Sequence, residues 1–196
     1  MNKITGLIAA TFAAYREDGT INLDIIPTIV DKMIADGLSG VFICGTNGGG
    51  PNVTIEERMA IAEGYVKAAA KRILVLVHVG HSSIQECRKL AAHAEQNGAD
   101  AISSVAAFYF KPTSLDNLVK SMAQIASAAP NTPFYYYSIP TLTGVGMDMI
   151  TFLEQAEKVI PNLAGIKYTA STLHENQACL NSKNGKCDIV CGHDES

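Results

Sequence analysis

Short apolar runs and amphipathic segments alternate along the chain. The runs lie at residues 4–11, 41–44, 73–79, 101–105, 134–137, 163–168 and 189–191. Because nearly every position in them is apolar, they are typical of strands buried on both faces, as in a parallel sheet. The segments between them carry apolar residues three or four positions apart, which predicts helices at 22–35, 54–70, 83–97, 114–129 and 148–159.

Polar residues mark where these helices begin and end. Residues 54–57 (TIEE) and 83–86 (SIQE) have the sequence of a capping box, and Gly37 and Gly98 follow the last turns of two helices. Alternating strands and helices fit either an open doubly wound sheet or a (β/α)₈ barrel. The pattern does not separate the two, but both architectures bind ligands at the carboxyl ends of their strands.

Composition narrows the class of protein. The chain has 196 residues, of which 47% are hydrophobic and 17% charged, and this predicts a single globular domain. A net charge of -4 argues against nucleic acid as a partner, and no apolar run is long enough to cross a membrane. Five cysteines without CxxC spacing indicate reduced thiols and a cytoplasmic protein. The N-terminal stretch MNKITGLIAATFAA fits either a short signal peptide or a buried strand, and we favour the strand.

A glycine-rich loop, CGTNGGGPN at residues 44–52, follows the second apolar run. It lacks the Gly-Lys-Ser/Thr of a Walker loop, and its glycines miss the spacing of a dinucleotide fingerprint. Pro51 also keeps Gly50 out of the helical region. The loop therefore suits a small carboxylate better than a nucleotide phosphate, with backbone N–H groups and the Thr46 hydroxyl as donors.

Lys167 is an unusual residue for an apolar strand. Burying an ammonium is unfavourable unless the group sheds its proton, and a neutral amine in a dry pocket is what Schiff-base chemistry with a carbonyl requires. The alternative is a strand-end lysine whose head reaches solvent. Tyr137 ends the preceding strand and could carry protons for such chemistry. At least one residue of the Tyr135-Tyr136-Tyr137 run must be a packing residue, because the three alternate between faces.

Three motifs in this order resemble the dihydrodipicolinate synthase / N-acetylneuraminate lyase family: GTNGG after the second strand, YYYSIP after the fifth and GIKYT on the sixth. The resemblance covers nearly the whole chain. It implies a (β/α)₈ barrel of the class I aldolase type and a Schiff base between a lysine and a 2-keto acid, with no metal or other cofactor.

The resemblance also implies residue roles. Lys167 would form the imine, and Tyr137 would relay protons. Thr46 and Asn47 would hold the keto-acid carboxylate, although Asn47 departs from the commoner serine or threonine. Tyr109 matches a tyrosine that reaches a neighbouring subunit in many members of the family, which are commonly homotetramers.

Two features resemble the lyase branch of the family. Leu142 stands where the synthases carry an arginine, and Gly192, His193, Asp194 and Glu195 match the branch's motif after strand seven. The resemblance implies that Asp194 and Glu195 hold the hydroxyl groups of the sugar chain, and Thr169 and Gly192 are also expected to bind the substrate. The implied reaction is cleavage of N-acetylneuraminate to N-acetylmannosamine and pyruvate.

Two departures qualify this expectation. The pattern yields seven strands, so we expect a barrel domain over residues 1–196 that lacks strand eight and the C-terminal helices. Alternatives are another 2-keto acid aldolase, either synthase-like or acting on a keto-deoxy sugar acid, or an inactive truncated remnant.

Gly49 also replaces the family's usual glutamate, and we expect the added backbone freedom to weaken keto-acid binding.

Overall fold

Seven parallel strands form one curled sheet. The computed structural model describes residues 3–182 and 186–193. The strands are β1 (Ile8–Ala10), β2 (Gly40–Ile43), β3 (Leu74–His78), β4 (Ala101–Ser104), β5 (Phe134–Ser138), β6 (Leu163–Tyr168) and β7 (Asp188–Cys191). Each strand pairs only with its neighbours in sequence, in the order β1 to β7. A doubly wound sheet would reverse this order partway, so the strands have the arrangement of a (β/α)₈ barrel.

The helices follow the strands along the chain. They are α1 (Ile26–Ala35), α2 (Ile55–Ala69), α3 (Ile84–Gln96), α4 (Leu115–Ala126), α5 (Pro140–Thr143), α6 (Met149–Ala156) and α7 (Leu173–Asn181). Two short 3-10 helices, Leu23–Ile25 and Gly50–Asn52, precede α1 and α2. None of the helices in the described ranges is both long and apolar enough to cross a membrane.

The predicted helix starts are confirmed by their capping bonds. Thr54 and Glu57 form a complete capping box, in which each side chain accepts from the backbone N–H of the other residue. Ser83 accepts from the Glu86 N–H, but the Glu86 carboxylate pairs with Lys89 instead of completing a second box. Such bonds satisfy N–H groups that have no partner within the helix.

Alternation along the strands separates two hydrophobic layers. Ile43, Val77, Ile102 and Tyr136 belong to a large outer core between the sheet and the helices. Side chains at the alternate positions, including Phe42, Leu76, Tyr135 and Tyr137, belong to a smaller inner cluster within the curl of the sheet. Groups placed on inward positions near the carboxyl ends of the strands therefore converge on one cavity.

Most predicted elements agree with the structure to within a few residues. The first strand is shorter than its apolar run, because only Ile8–Ala10 pairs with β2. Two helices were missed. α5 has only four residues, and α7 carries mostly polar residues, so neither leaves a clear apolar period. All five cysteines are free.

Candidate active site

Lys167 lies on β6 with its amine among aromatic rings. Gly165 and Ile166 precede it on a strand that pairs with β5, and the register places Lys167 beside Tyr137. The side chain is half-buried. Its Nζ lies 3.9 Å from the centre of the Tyr137 ring and 4.7 Å from the centre of the Phe42 ring. The amine therefore points into the inner cluster and not into the outer core.

Tyr137 connects the lysine to the glycine-rich loop. Its ring is buried, and the edge-to-face contact with Phe42 has a centroid distance of 5.4 Å. The Tyr137 hydroxyl lies 3.3 Å from Oγ1 of Thr46, where either oxygen can donate. An amine, a phenol and a hydroxyl thus meet from three different strand ends.

The glycine-rich loop turns sharply, and its backbone explains two of its glycines. A Cβ on Gly50 would lie 2.0 Å from the Cys44 carbonyl oxygen, which excludes any side chain. Gly49 has a φ of 62°, in the left-handed region. The turn leaves Thr46 and Asn47 exposed at the mouth of the cavity. The Asn47 amide lies 3.4 Å from the Ala10 carbonyl oxygen, to which it donates.

Thr169 and Gly192 form the opposite rim. Thr169 lies just beyond β6 and donates its hydroxyl hydrogen to the Ser138 carbonyl at 2.6 Å. A Cβ on Gly192 would lie 3.2 Å from Lys167 Nζ and 2.6 Å from Cγ2 of Thr169. Glycine at this position therefore leaves room for the lysine head.

These residues line one cavity of about 850 Å³. Its wall also includes Ser103, Thr141 and Cys191. The cavity is large enough for a ligand of the size of a sugar acid. In the parts of the chain that the structure describes, no group of three or more His, Cys, Asp or Glu side chains is arranged to hold a metal ion.

A buried polar group lies behind the aromatic rings. His78, on β3, is 3% exposed, and Arg58, on α2, is 1% exposed. Burial, reinforced by the Arg58 charge, lowers the pKa of His78 to about 3, so its ring is neutral at physiological pH. The sequence patterns indicated no role for His78 or Arg58. Arg58 belongs to the charged first turns of α2, and nothing in that pattern distinguishes a buried arginine from a solvated one.

One predicted residue in the described part of the chain, Tyr109, lies apart from this group. Tyr109 is 77% exposed and packs edge-to-face on Phe110, away from the lining of the cavity. Asp194 and Glu195 lie outside the described residues. The structure thus brings together Lys167, Tyr137, Thr46, Asn47, Thr169 and Gly192 of the predicted set. Their arrangement can perform imine chemistry, since an amine lies beside a phenol that can carry protons.

Comparison with known proteins gives one consistent relationship. Residues 3–196 match the model of the dihydrodipicolinate synthetase family. The N-acetylneuraminate lyase A of Xenopus laevis is 40% identical over 195 residues, which are 98% of this chain and 64% of that protein.

Solved structures agree with this relationship. The N-acetylneuraminate lyase (sialic acid aldolase) of Aliivibrio salmonicida is 41% identical, with a TM-score of 0.97 over all of this chain and 65% of that one. The dihydrodipicolinate synthase of Aquifex aeolicus is 25% identical, with a TM-score of 0.90 over 96% of this chain and 63% of that one. The chain therefore spans just under two thirds of the length of these relatives.

Proposed function

The chain belongs to the dihydrodipicolinate synthetase family, and we propose that it is an aldolase that cleaves N-acetylneuraminate reversibly to N-acetylmannosamine and pyruvate. The position of Lys167 carries this proposal, because its amine lies inside the curl of the sheet, beside Tyr137 and a cavity of about 850 Å³. The Xenopus and Aliivibrio lyases, each about 40% identical, support N-acetylneuraminate as the substrate.

In the proposed reaction, the amine of Lys167 attacks C2 of the open-chain sugar acid, and loss of water gives a protonated imine. This imine accepts the electron pair of the C3–C4 bond as that bond breaks. N-acetylmannosamine leaves with a new aldehyde, and the remaining enamine is protonated at C3. Hydrolysis then releases pyruvate and restores the amine. No step requires a metal or other cofactor.

Tyr137 is proposed to carry the protons. Its hydroxyl can relay protons while the imine forms, and during cleavage it can accept the proton of the C4 hydroxyl as it gives up its own, with the reverse transfer in the condensation direction. The Tyr137 and Thr46 hydroxyls lie 3.3 Å apart, and Lys167 Nζ lies 3.9 Å from the centre of the Tyr137 ring. This contact supports the role, because it fixes the direction of the Tyr137 hydroxyl while the ring lies against the amine.

The carboxylate and the sugar chain occupy opposite rims in this proposal. Thr46 and Asn47 donate to the keto-acid carboxylate from the glycine-rich loop. Thr169 and Gly192 border the sugar chain. Asp194 and Glu195 accept from its hydroxyl groups, as carboxylates do with polyols.

The proposal extends to the setting of the enzyme. We propose that the protein is cytoplasmic and forms a homo-oligomer, specifically a homotetramer. Its partners are small molecules, with no nucleic acid or membrane among them. The exposed Tyr109 and Phe110 support a contact between copies, because two large aromatic rings at 77% and 86% exposure are unusual on a free surface. Tyr109 would then approach the site of a neighbouring copy.

A second candidate is an aldolase for a different 2-keto sugar acid. One observation favours keeping it: the described residues that surround Lys167 would contact the pyruvate portion, which all such substrates share. Leu142, which is 63% exposed, offers no cation for the second carboxylate that a synthase must bind. A panel of 2-keto sugar acids and of synthase substrates would identify the preferred one by its cleavage or condensation rate.

Borohydride reduction in the presence of pyruvate tests the proposal. We expect one pyruvate adduct per chain, located on Lys167 by peptide mass spectrometry and absent from Lys167→Ala. Lys158→Ala removes an exposed lysine and should keep the adduct. A parent protein that melts cooperatively but forms no adduct would contradict the aldolase proposal and support an inactive remnant. An adduct without N-acetylneuraminate cleavage would support the second candidate.

A further inference from the structure

A buried polar unit of Arg58, His78 and Cys44 lies directly behind the proposed catalytic groups. Arg58 Nη2 donates to the His78 carbonyl at 2.7 Å, and Nη1 donates to the Gly80 carbonyl at 2.9 Å. The guanidinium therefore fixes the backbone at the carboxyl end of β3. Charge-assisted bonds of this kind hold their partners more tightly than neutral ones do.

The His78 ring extends this unit to β2. Its Nδ1 lies 3.0 Å from the Cys44 carbonyl oxygen. Arg58 Nη2 is 3.5 Å from the same Nδ1 but has a closer acceptor in the His78 carbonyl, and the Cys44 carbonyl can only accept, so we assign the hydrogen of the neutral ring to Nδ1, which donates it to Cys44. The bond joins the end of β3 to the first residue beyond β2.

Cys44 has an unfavourable backbone conformation at this junction. Its φ is 56°, in the left-handed region that residues with a side chain rarely adopt. Such a conformation persists when the surroundings hold it in place. Cys44 is the first residue of the loop that carries Thr46, so the direction in which that loop leaves β2 depends on how Cys44 is held.

The same histidine also contacts Tyr137. The two rings meet edge to face, with centroids 5.8 Å apart and an interplanar angle of 87°. Phe42 packs on both rings, at 6.1 Å from His78 and 5.4 Å from Tyr137. His78 therefore restricts the rotation of the Tyr137 ring and with it the position of the phenol.

We propose that His78, held by Arg58, is a positioning residue with two separable contacts: its Nδ1–H orients the carboxylate loop through Cys44, and its ring orients Tyr137. The inference rests on the proposed function, in which Thr46 binds the keto-acid carboxylate and Tyr137 transfers protons. It does not depend on which sugar acid is cleaved, because Thr46 and Tyr137 are assigned to the keto-acid carboxylate and to proton transfer, which all such substrates share.

Two substitutions separate the contacts. His78→Asn keeps an N–H donor in the position of Nδ1 but removes the part of the ring that meets Tyr137. His78→Phe keeps the ring and removes the donor. For each variant, borohydride trapping at a series of pyruvate concentrations gives the half-saturating concentration and the limiting rate of adduct formation.

Each variant is expected to change a different one of these two quantities. His78→Asn should lower the limiting rate roughly tenfold to a hundredfold and leave half-saturation unchanged, because a displaced phenol slows proton transfer. His78→Phe should raise half-saturation roughly threefold to tenfold, the effect of one lost hydrogen bond, and keep the parental limiting rate. His174→Asn, at an exposed histidine, is the control and should alter neither quantity.

Folded variants that change both quantities in the same proportion, or neither, overturn the proposal. If His78→Phe does not melt cooperatively, Cys44→Gly/His78→Phe replaces it, because glycine adopts a left-handed φ without support. Recovery of the cooperative transition supports the role of the bond to Cys44, and failure to recover it contradicts that role. The parent's rate of N-acetylneuraminate cleavage is measured separately, so failure of the proposed function is distinguished from failure of the positioning role.

Discussion

At the scale of single residues, His78 gives the protein a defined response to acid. Its pKa is lowered from 6.5 to about 3, chiefly by burial and then by the Arg58 charge. Between these pH values the unfolded chain binds a proton that the folded chain excludes, so stability is complete above pH 6.5 and falls as the pH decreases.

We therefore expect the free energy of unfolding to fall by about 2 kcal/mol between pH 7 and pH 5 through this residue alone. Chemical denaturation at several pH values measures the slope. His78→Asn should show a shallower slope over this range, whereas His174→Asn should reproduce the parent. Equal slopes in parent and His78→Asn would show that the ring is protonated in the folded protein.

Gly49 is the second residue whose substitution tests the site. Its φ of 62° places a substituted side chain in the left-handed region, although a Cβ would meet only the Tyr15 hydroxyl oxygen at 3.5 Å and Val53 Cγ2 at 3.8 Å. We expect Gly49→Glu to cost about 1 kcal/mol of stability. It should nevertheless lower the half-saturating concentration of pyruvate by restricting the loop.

Pyruvate titration with borohydride trapping measures this affinity. Gly49→Asn is the control, because asparagine tolerates the left-handed region and lacks the longer carboxylate. The absence of any gain in Gly49→Glu would contradict the idea that freedom at Gly49 weakens keto-acid binding.

At the scale of elements, the end of α2 carries an avoidable strain. Ala70 and Lys71 have φ values of 45° and 61°, where a helix usually ends on glycine. Lys71 also donates to the Gly98 carbonyl and pairs with Asp100, so its side chain has a structural role. Ala70 is exposed, and its substitution removes only a methyl group.

Ala70→Gly should therefore raise the free energy of unfolding by about 1 kcal/mol, with a higher melting temperature. Ala68→Gly makes the same chemical change within the last turn of α2 and should lower stability by about 1 kcal/mol, because glycine is a poor helix former. Thermal melts of both variants against the parent test the pair. A loss of stability in Ala70→Gly would contradict the strain at this helix end.

The elements also show what the sequence could predict and why the rest was missed. Strands β2, β3, β5 and β6 were predictable because their runs are mostly apolar on both faces, and α2 and α3 because their caps and apolar periods agree. β4 (AISS) was predictable because a short run of small and apolar residues follows the glycine after α3. α7 was missed because its polar residues hide the period. In the site, Lys167 stood out as a charge within an apolar strand, whereas Arg58 looked like any charged residue of a helix until the packing showed it buried.

At the scale of the whole molecule, Asp188 joins distant parts of the curled sheet. Its carboxylate lies at the start of β7 and is 7% exposed. Oδ2 accepts from the Tyr135 hydroxyl of β5 at 2.7 Å and from the backbone N–H of Ile4, ahead of β1, at 2.9 Å. The bonds connect β7 with β5 and with the segment ahead of β1, so they stabilise the curl on which the position of Lys167 depends.

Asp188→Ala should lower the free energy of unfolding by about 3 kcal/mol, because it leaves two donors in the interior without an acceptor. Asp188→Asn keeps an acceptor oxygen in place and should cost less.

In Asp188→Ala/Tyr135→Phe, the hydroxyl that would be left without a partner is also removed. The double variant should therefore be more stable than the sum of the two single substitutions predicts, and chemical denaturation of the parent, Asp188→Ala, Tyr135→Phe and the double variant measures this coupling. Strictly additive losses would mean that Asp188 and Tyr135 stabilise the protein independently.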